Sequence, residues 1–185
     1  MEKVDKRIIK TKNKLTNSLL ELIAIEEIKN ITVIELCQKA QINRTTFYKY
    51  YKDIDDFVAK IEMQLINELK KSIQDIKRNY LISYINKIIE SIQSQKNIYE
   101  KLISDNGDKL FLKKILFLVH DQSINEWQRI LKKANANDLE NIYRFIVDGS
   151  IGIIENWTRN NFQENPTNIT NFINKLCMSG LSSFI

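Results

Sequence analysis

The chain has 185 residues, of which 43% are hydrophobic, with 28 Lys+Arg against 23 Asp+Glu and a net charge of +5. That size and apolar content suit one large domain, or a small module joined to a larger one, and they exclude a disordered polyelectrolyte. Four Gly and one Pro are too few for a turn-rich β fold, so the expected class is all-α.

The basic excess is local. Residues 1–52 carry 11 Lys+Arg against 6 Asp+Glu, whereas residues 53–185 carry 17 against 17. A polyanion-binding surface has this footprint, and so does a solvated basic helix. Cys37 and Cys177 fit neither a metal-ligand spacing nor a disulfide framework and read as small core residues in a reducing cytoplasm. "MEKVDKRIIKTKNK" lacks the apolar run of a signal peptide, and Lys113 and Lys114 interrupt "LFLKKILFLV". Neither secretion nor a membrane span is expected.

In chain order, Ile8, Leu15, Leu19, Leu22 and Ile23 recur at helical spacing, which predicts a first helix over about Asp5 to Glu27 with Lys6, Arg7, Lys10, Lys12 and Lys14 on its first turns. Thr32-x-x-Glu35 has the form of a capping box and opens a second helix, to about Ala40, with Val33, Leu36, Cys37 and Ala40 on one narrow stripe. Gln41-Ile42-Asn43 suits the turn of a helix-turn-helix, with Asn43 capping the next helix. That third helix, Arg44 to about Tyr51, places Phe47, Tyr50 and Tyr51 on one side. Thr45, Tyr48, Lys49 and Lys52 fall on the other, with Arg44 and Thr46 at the borders. Such a polar, cationic face is what a major-groove reading helix requires, and an ordinary amphipathic helix also has a wet face.

Asp53 caps a fourth helix whose stripe from Ile54 to Ile76 predicts a rod to about Arg78. A fifth helix is expected over Leu81–Gln93, a sixth over Ile98–Ser104, and a seventh over about Asp108–Lys132 that is apolar nearly all round between Leu110 and Val119. An eighth, Asp138 to about Asn160, holds Gly149, Ser150 and Gly152 in its interior, where Gly costs roughly 1 kcal/mol against Ala; close helix approach is the simplest compensation. A ninth follows Pro166 from about Thr167. The single histidine, His120, has no metal-ligand spacing, and no phosphate loop or nucleophile elbow is present. No metal, cofactor or catalytic residue is expected.

The stretches "DKRIIKTKNKLTNSLLELI" and "ITVIELCQKAQINRTTFYKYYKDIDDF" resemble the DNA-binding domain of the TetR/AcrR family of bacterial transcriptional regulators. Less specifically, "FIVDGSIGIIENWTRNNFQENPTNITNFINKL" is similar to the C-terminal region of one family branch. The resemblance implies a helix-turn-helix DNA-binding domain over residues 1–52 and a helical ligand-binding and dimerisation domain over 53–185. It implies a cytoplasmic homodimer on a near-palindromic duplex operator, more often a repressor than an activator, in many members released by a small-molecule effector. Matched positions place Thr45, Thr46, Lys49 and Tyr50 at bases or adjacent phosphates, with Tyr48 and Lys52 on the backbone beside Asn43 and Arg44. Thr32 is expected to donate to a phosphate, and Arg7, Lys10 and Lys12 to add phosphate or minor-groove contacts. Gln41 stands where most relatives have Gly, and Ile54 where many have Lys.

Tyr84, Phe111, Phe117, His120 and Trp127 are the candidate effector-pocket lining, with core packing as the competing role. Gly149, Ile153, Trp157, Phe172 and Leu176 are the candidate dimer interface. The rival from another class is a helical protein-interaction module without DNA binding, which has no need to confine its basic excess to the first 52 residues.

Overall fold

Leu15, Leu19 and Ile23 recur every four residues and lie fully buried along one side of α1 (Lys6–Ile23), because side chains four apart share a helix face. Against that unit's core, α2 (Val33–Ala40) buries Leu36, Cys37 and Ala40, and α3 (Arg44–Tyr48) buries Phe47. The computed structural model describes residues 6–74, 76 and 80–185, and among these every regular element is helical. The remaining helices are α4 (Ile54–Ser72), α5 (Tyr80–Ser94), α6 (Lys96–Ile103), α7 (Phe111–Leu116), α8 (His120–Ile130), α9 (Ala136–Arg159) and α10 (Pro166–Ser182). Short 3-10 turns cover Ile28–Asn30 and Phe117–Val119. The second joins α7 to α8 without a gap, so the described residues form nine helical rods, one of them broken. The all-α class is the one expected.

Two compact units emerge: Met1–Leu65 with Asn97–Lys109, and Ile66–Lys96 with Leu110–Ile185. This division differs from a boundary at 52/53, for a packing reason. Phe57, at the start of α4, sets its ring 4.4 Å from Tyr51 and 6.0 Å from Phe47. Truncating a fully buried Phe such as Phe47 costs about 3–5 kcal/mol, a large share of a typical stability of about 5–15 kcal/mol.

The second reason is Asn106. Its Nδ2 donates to the Ile23 carbonyl at 2.9 Å, and its own carbonyl accepts from Ile28 N–H at 2.9 Å. The helix predicted to run to Glu27 therefore stops at Ile23, where a distant side chain takes the last carbonyl; its predicted start at Asp5 lies outside the described residues. Gly107 follows Asn106 so tightly that a Cβ there would run into the carbonyls of Leu102 and Lys101. The fourth helix ends at Ser72, short of the expected Arg78, which also lies outside the described residues. Ser72 Oγ bonds back to the Leu69 carbonyl at 2.8 Å, a local bond that competes with helix continuation.

In the second unit, Tyr84, Ile85, Ile88 and Ile92 of α5 are fully buried, and α5 packs against α8 and α10. Asn135 and Asp138 form a capping box at the start of α9, and Asn165 caps α10 ahead of Pro166 at its first position. The single seventh helix of the sequence reading is broken instead. Tyr143 Oη donates to the Leu116 carbonyl at 2.6 Å and Ser123 Oγ to that of Val119 at 2.7 Å, while Val119 leaves helical geometry at φ −114°, ψ 15°. With the rod turned at that point, Leu110 and Phe117 are exposed rather than buried. Close helix approach at Gly149 and Gly152 is also absent within the chain, since an added Cβ would meet no atom within 4 Å at either.

Candidate nucleic-acid interface

Three local devices set the third helix. Thr32 Oγ1 accepts from Glu35 N–H at 3.2 Å while the Glu35 carboxylate accepts from Thr32 N–H at 2.9 Å, the capping box expected at the start of α2. Gln41 ends α2 in the left-handed region at φ 54°, ψ 45°, which costs a non-Gly residue about 1–2 kcal/mol. Asn43 Oδ1 then accepts from Thr45 N–H at 2.8 Å and starts α3. That helix is shorter than predicted, ending at Tyr48 instead of Tyr51. The Phe47 carbonyl accepts from both Tyr50 and Tyr51, at 2.9 and 3.0 Å, and the chain tightens into a turn before Asp53 Oδ1 caps α4 through Asp56 N–H at 2.8 Å.

The two faces separate as the pattern required. Phe47 and Tyr51 are buried, whereas Asn43, Arg44, Thr45, Tyr48, Lys49 and Lys52 are exposed and Thr46 and Tyr50 half-buried. Tyr48 is 57% exposed and stands edge-on to Phe47 at 5.6 Å, so a core contact orients a solvent-facing phenol. Arg7, Lys10, Lys12 and Thr32 are exposed as well.

Two expected contacts meet competition. The Thr32 hydroxyl already donates to Glu35 Oε2 at 2.6 Å, and this bond, with the Thr32 amide, holds the Glu35 carboxyl below its usual range. A phosphate taking the Thr32 hydroxyl must therefore displace a carboxylate. Tyr50 does not project cleanly outward: with Ile9, Lys12, Tyr51, Phe57 and Lys60 it lines a cleft of about 480 Å³ inside the first unit.

Lys60 is a residue the sequence reading missed. Its Nζ donates to the Tyr50 carbonyl and to Asp56 Oδ2, each at 2.8 Å, and lies 5.2 Å over the Tyr51 ring. Asp56 Oδ2 also accepts from Lys52 N–H at 2.9 Å. Lys60 first and the Lys52 amide next hold the Asp56 carboxyl below its ordinary range. The available signal was the Asp-to-Lys pair four residues apart at the start of α4.

In the second unit, three of the five candidate pocket residues come together, but around Tyr143. The rings of Phe117, His120 and Trp127 lie 5.6, 4.7 and 6.0 Å from it, so a protein side chain fills the space between them. Tyr84 and Phe111 are fully buried. His120 bridges two helices, with Nδ1 2.9 Å from Asp121 Oδ1 and Nε2 3.0 Å from Glu140 Oε2. The bond to Asp121, ahead of that to Glu140, raises its pKa above the ordinary 6.5 against the opposing effect of burial. A raised folded-state pKa means that His120 contributes fully below about 6.5 and loses its contribution as pH climbs through the folded value. Between about pH 6 and about pH 8, the melting-temperature advantage of wild type over His120→Gln is expected to shrink. An advantage that stays constant would remove this ion pair as the cause.

The glycines of α9 and α10 border open apolar surface. Gly149, Ile153, Leu176 and Gly180 line one groove of about 400 Å³ with Phe145 at its edge, and Gly149, Ile153, Trp157 and Phe172 line an adjoining one of about 580 Å³. Phe145 is 81% exposed, Phe172 54% and Leu176 53%, a concentration unlike the scattered apolar residues of an ordinary surface. Trp157, expected on the same face, is instead buried inside its own chain with its indole N–H on the Glu164 carbonyl at 2.8 Å. Phe145 and Gly180 went unnamed in the sequence reading, although Phe145 stands one turn before Gly149. Among the described residues no helix is long and apolar enough to cross a membrane, and no three His, Cys, Asp or Glu are placed to hold a metal ion.

Residues 79–179 match the TetR-type C-terminal family described as "Transcriptional regulator C-terminal region". No curated protein matches the sequence. Among solved structures, the chain is similar to the dihydroxyacetone kinase operon activator DhaS at 18% identity, with 94% of this chain and 97% of that one covered and a TM-score of 0.56. It is similar to the fatty acid degradation regulator FadR from Bacillus halodurans at 13% identity, with 92% and 96% covered and a TM-score of 0.65. It is also similar to Thermus thermophilus FadR, a TetR-family transcriptional repressor in complex with lauroyl-CoA, at 14% identity, with 91% and 94% covered and a TM-score of 0.53. At these identities the structures share a fold with this chain.

Proposed function

The chain belongs to the TetR family of transcriptional regulators, and from that premise we propose that it is a sequence-specific repressor that binds a near-palindromic operator as a homodimer. The observation that carries the reading is the outward face of the third helix. Thr45, Tyr48 and Lys49 are exposed above a buried Phe47, within residues 1–52, where 11 Lys+Arg stand against 6 Asp+Glu. Thr45, Thr46, Lys49 and Tyr50 read bases and adjacent phosphates from the major groove, with Tyr48 and Lys52 on the backbone and Asn43 and Arg44 beside them. Arg7, Lys10, Lys12 and Thr32 hold the backbone. Residues 1–52 form the DNA-binding domain in this reading, and 53–185 the regulatory and dimerisation domain, with no part in catalysis.

The dimer forms through the apolar face of α9 and α10, where Gly149, Ile153, Phe172 and Leu176 meet their symmetry mates. An isologous contact of this kind sets the two reading heads one helical turn of DNA apart. Tyr84, Phe111, Phe117, His120 and Trp127 line the pocket of a small-molecule effector in this reading, which requires the Tyr143 ring, packed against three of them, to move aside. Such a ligand shifts the protein only by its differential affinity for the two forms. The regulator works in the cytoplasm, where its DNA is.

Selection of bound duplexes from a random pool, followed by a salt titration, tests the reading. A palindrome is expected, with affinity falling about 10³-fold or more between about 50 and about 200 mM salt if six or more phosphates are contacted. No recovered duplex, or a flat salt dependence, favours a protein-interaction module. One of the similar structures is named an activator, and a reporter driven from the recovered operator decides the sign: repression is expected.

A further inference from the structure

The turn between α3 and α4 carries the weight of DNA reading on very little structure. Five residues make up α3, too few to hold helical geometry alone, and the carbonyls at a helix end lack partners within the helix. One carbonyl just past that end, Tyr50's, is taken by the ammonium group of Lys60 at 2.8 Å. Lys60 is itself held by Asp56 Oδ2 at 2.8 Å, and the same oxygen accepts Lys52 N–H at 2.9 Å. The Tyr50 carbonyl, Lys60, Asp56 and the Lys52 amide thus form a closed chain of bonds that brackets Tyr51, at the middle of the link of residues 49–53 between reading helix and α4. Charge-assisted bonds are roughly twice as strong as neutral ones.

Resting on the DNA-binding reading above, we infer that Lys60 is a positioning residue for DNA recognition: by gripping the Tyr50 carbonyl it fixes the angle at which Tyr48 and Lys49 are presented. The grip governs orientation more than stability. An exposed ion pair contributes little to folding, and Lys60 is half-exposed, while the rings of Phe47, Tyr51 and Phe57 keep the core closed without it. A direct phosphate contact by the same half-exposed ammonium is the competing role. The two roles separate in their observables, because a phosphate contact weakens every duplex alike and lowers the salt slope, whereas misorientation weakens only the duplex whose bases are read.

The test measures affinity for the selected operator and for a scrambled duplex across a salt series, using full-length wild type, Lys60→Met, Lys60→Arg and Asp56→Asn. Lys60→Met is expected to lower operator affinity about tenfold more than scrambled-duplex affinity, the scrambled duplex showing only the small effect of one lost positive charge per protomer. Lys60→Arg, which keeps charge and donors, restores the ratio. Asp56→Asn removes a negative charge, so it raises scrambled-duplex affinity while lowering the ratio, and it carries the test should Lys60→Met fold poorly. A Lys60→Met protein that weakens both duplexes alike, with the slope reduced by about one per protomer, overturns the inference, as does an unchanged ratio in both variants. Wild type that selects no duplex overturns the DNA-binding reading itself, before any variant is made.

Discussion

Gly149→Glu is expected to leave the protomer folded and to break the dimer. Inside the protomer the change is favourable, because an added Cβ meets nothing within 4 Å and Glu is a better helix former than Gly by roughly 0.5–1 kcal/mol. In the proposed dimer it places a carboxylate in the apolar groove offered as the interface, where an unpaired charge costs several kcal/mol. An isologous interface counts each substitution twice, so the dissociation constant should rise on the order of a thousandfold, equivalent to about 4 kcal/mol. Sedimentation equilibrium reads the mass and circular dichroism the retained helix. Phe145→Glu, at a side chain 81% exposed in the protomer, should act in the same direction. A wild-type-like dimer in both variants removes α9 and α10 as the interface.

Tyr48→Ala and Lys49→Ala should each reduce operator affinity by about 100-fold, because a dimer loses two contacts worth about 1–3 kcal/mol each. Neither change should disturb folding or the dimer. Tyr48 is more than half exposed and meets Phe47 in a T-shaped ring contact at 5.6 Å, and Lys49 is exposed. Fluorescence anisotropy on the selected duplex, with sedimentation as the control, gives the answer. Wild-type affinity in both variants would transfer the reading role away from α3.

Together these variants separate the two halves of the regulator. If the dimer fails while each protomer keeps its helices, half-site binding should weaken far less than binding to the full palindrome, because linkage between the two heads supplies the remainder. If the reading face fails, both duplexes weaken and the dimer persists.

Period and capping are short-range physics, and whatever rests on them was legible in the chain. Leu15, Leu19 and Ile23 declared the core face of α1, Thr32 with Glu35 declared the start of α2, and Asn43 that of α3, each within four residues of its partner. The same locality made the outward set of Thr45, Tyr48 and Lys49 legible, since Phe47 marks the inward direction on its own helix. Features that need a distant partner emerged only on packing. Asn106 ends α1 from 83 residues away, and Tyr143 takes the Leu116 carbonyl from 27. The clamp from Lys60 on Tyr50 crosses ten residues and a turn, and the open space beside Gly149 exists only once α9 and α10 have packed. A residue's pattern reports which way its side chain points, but the occupant of the space it points into is chosen by the fold.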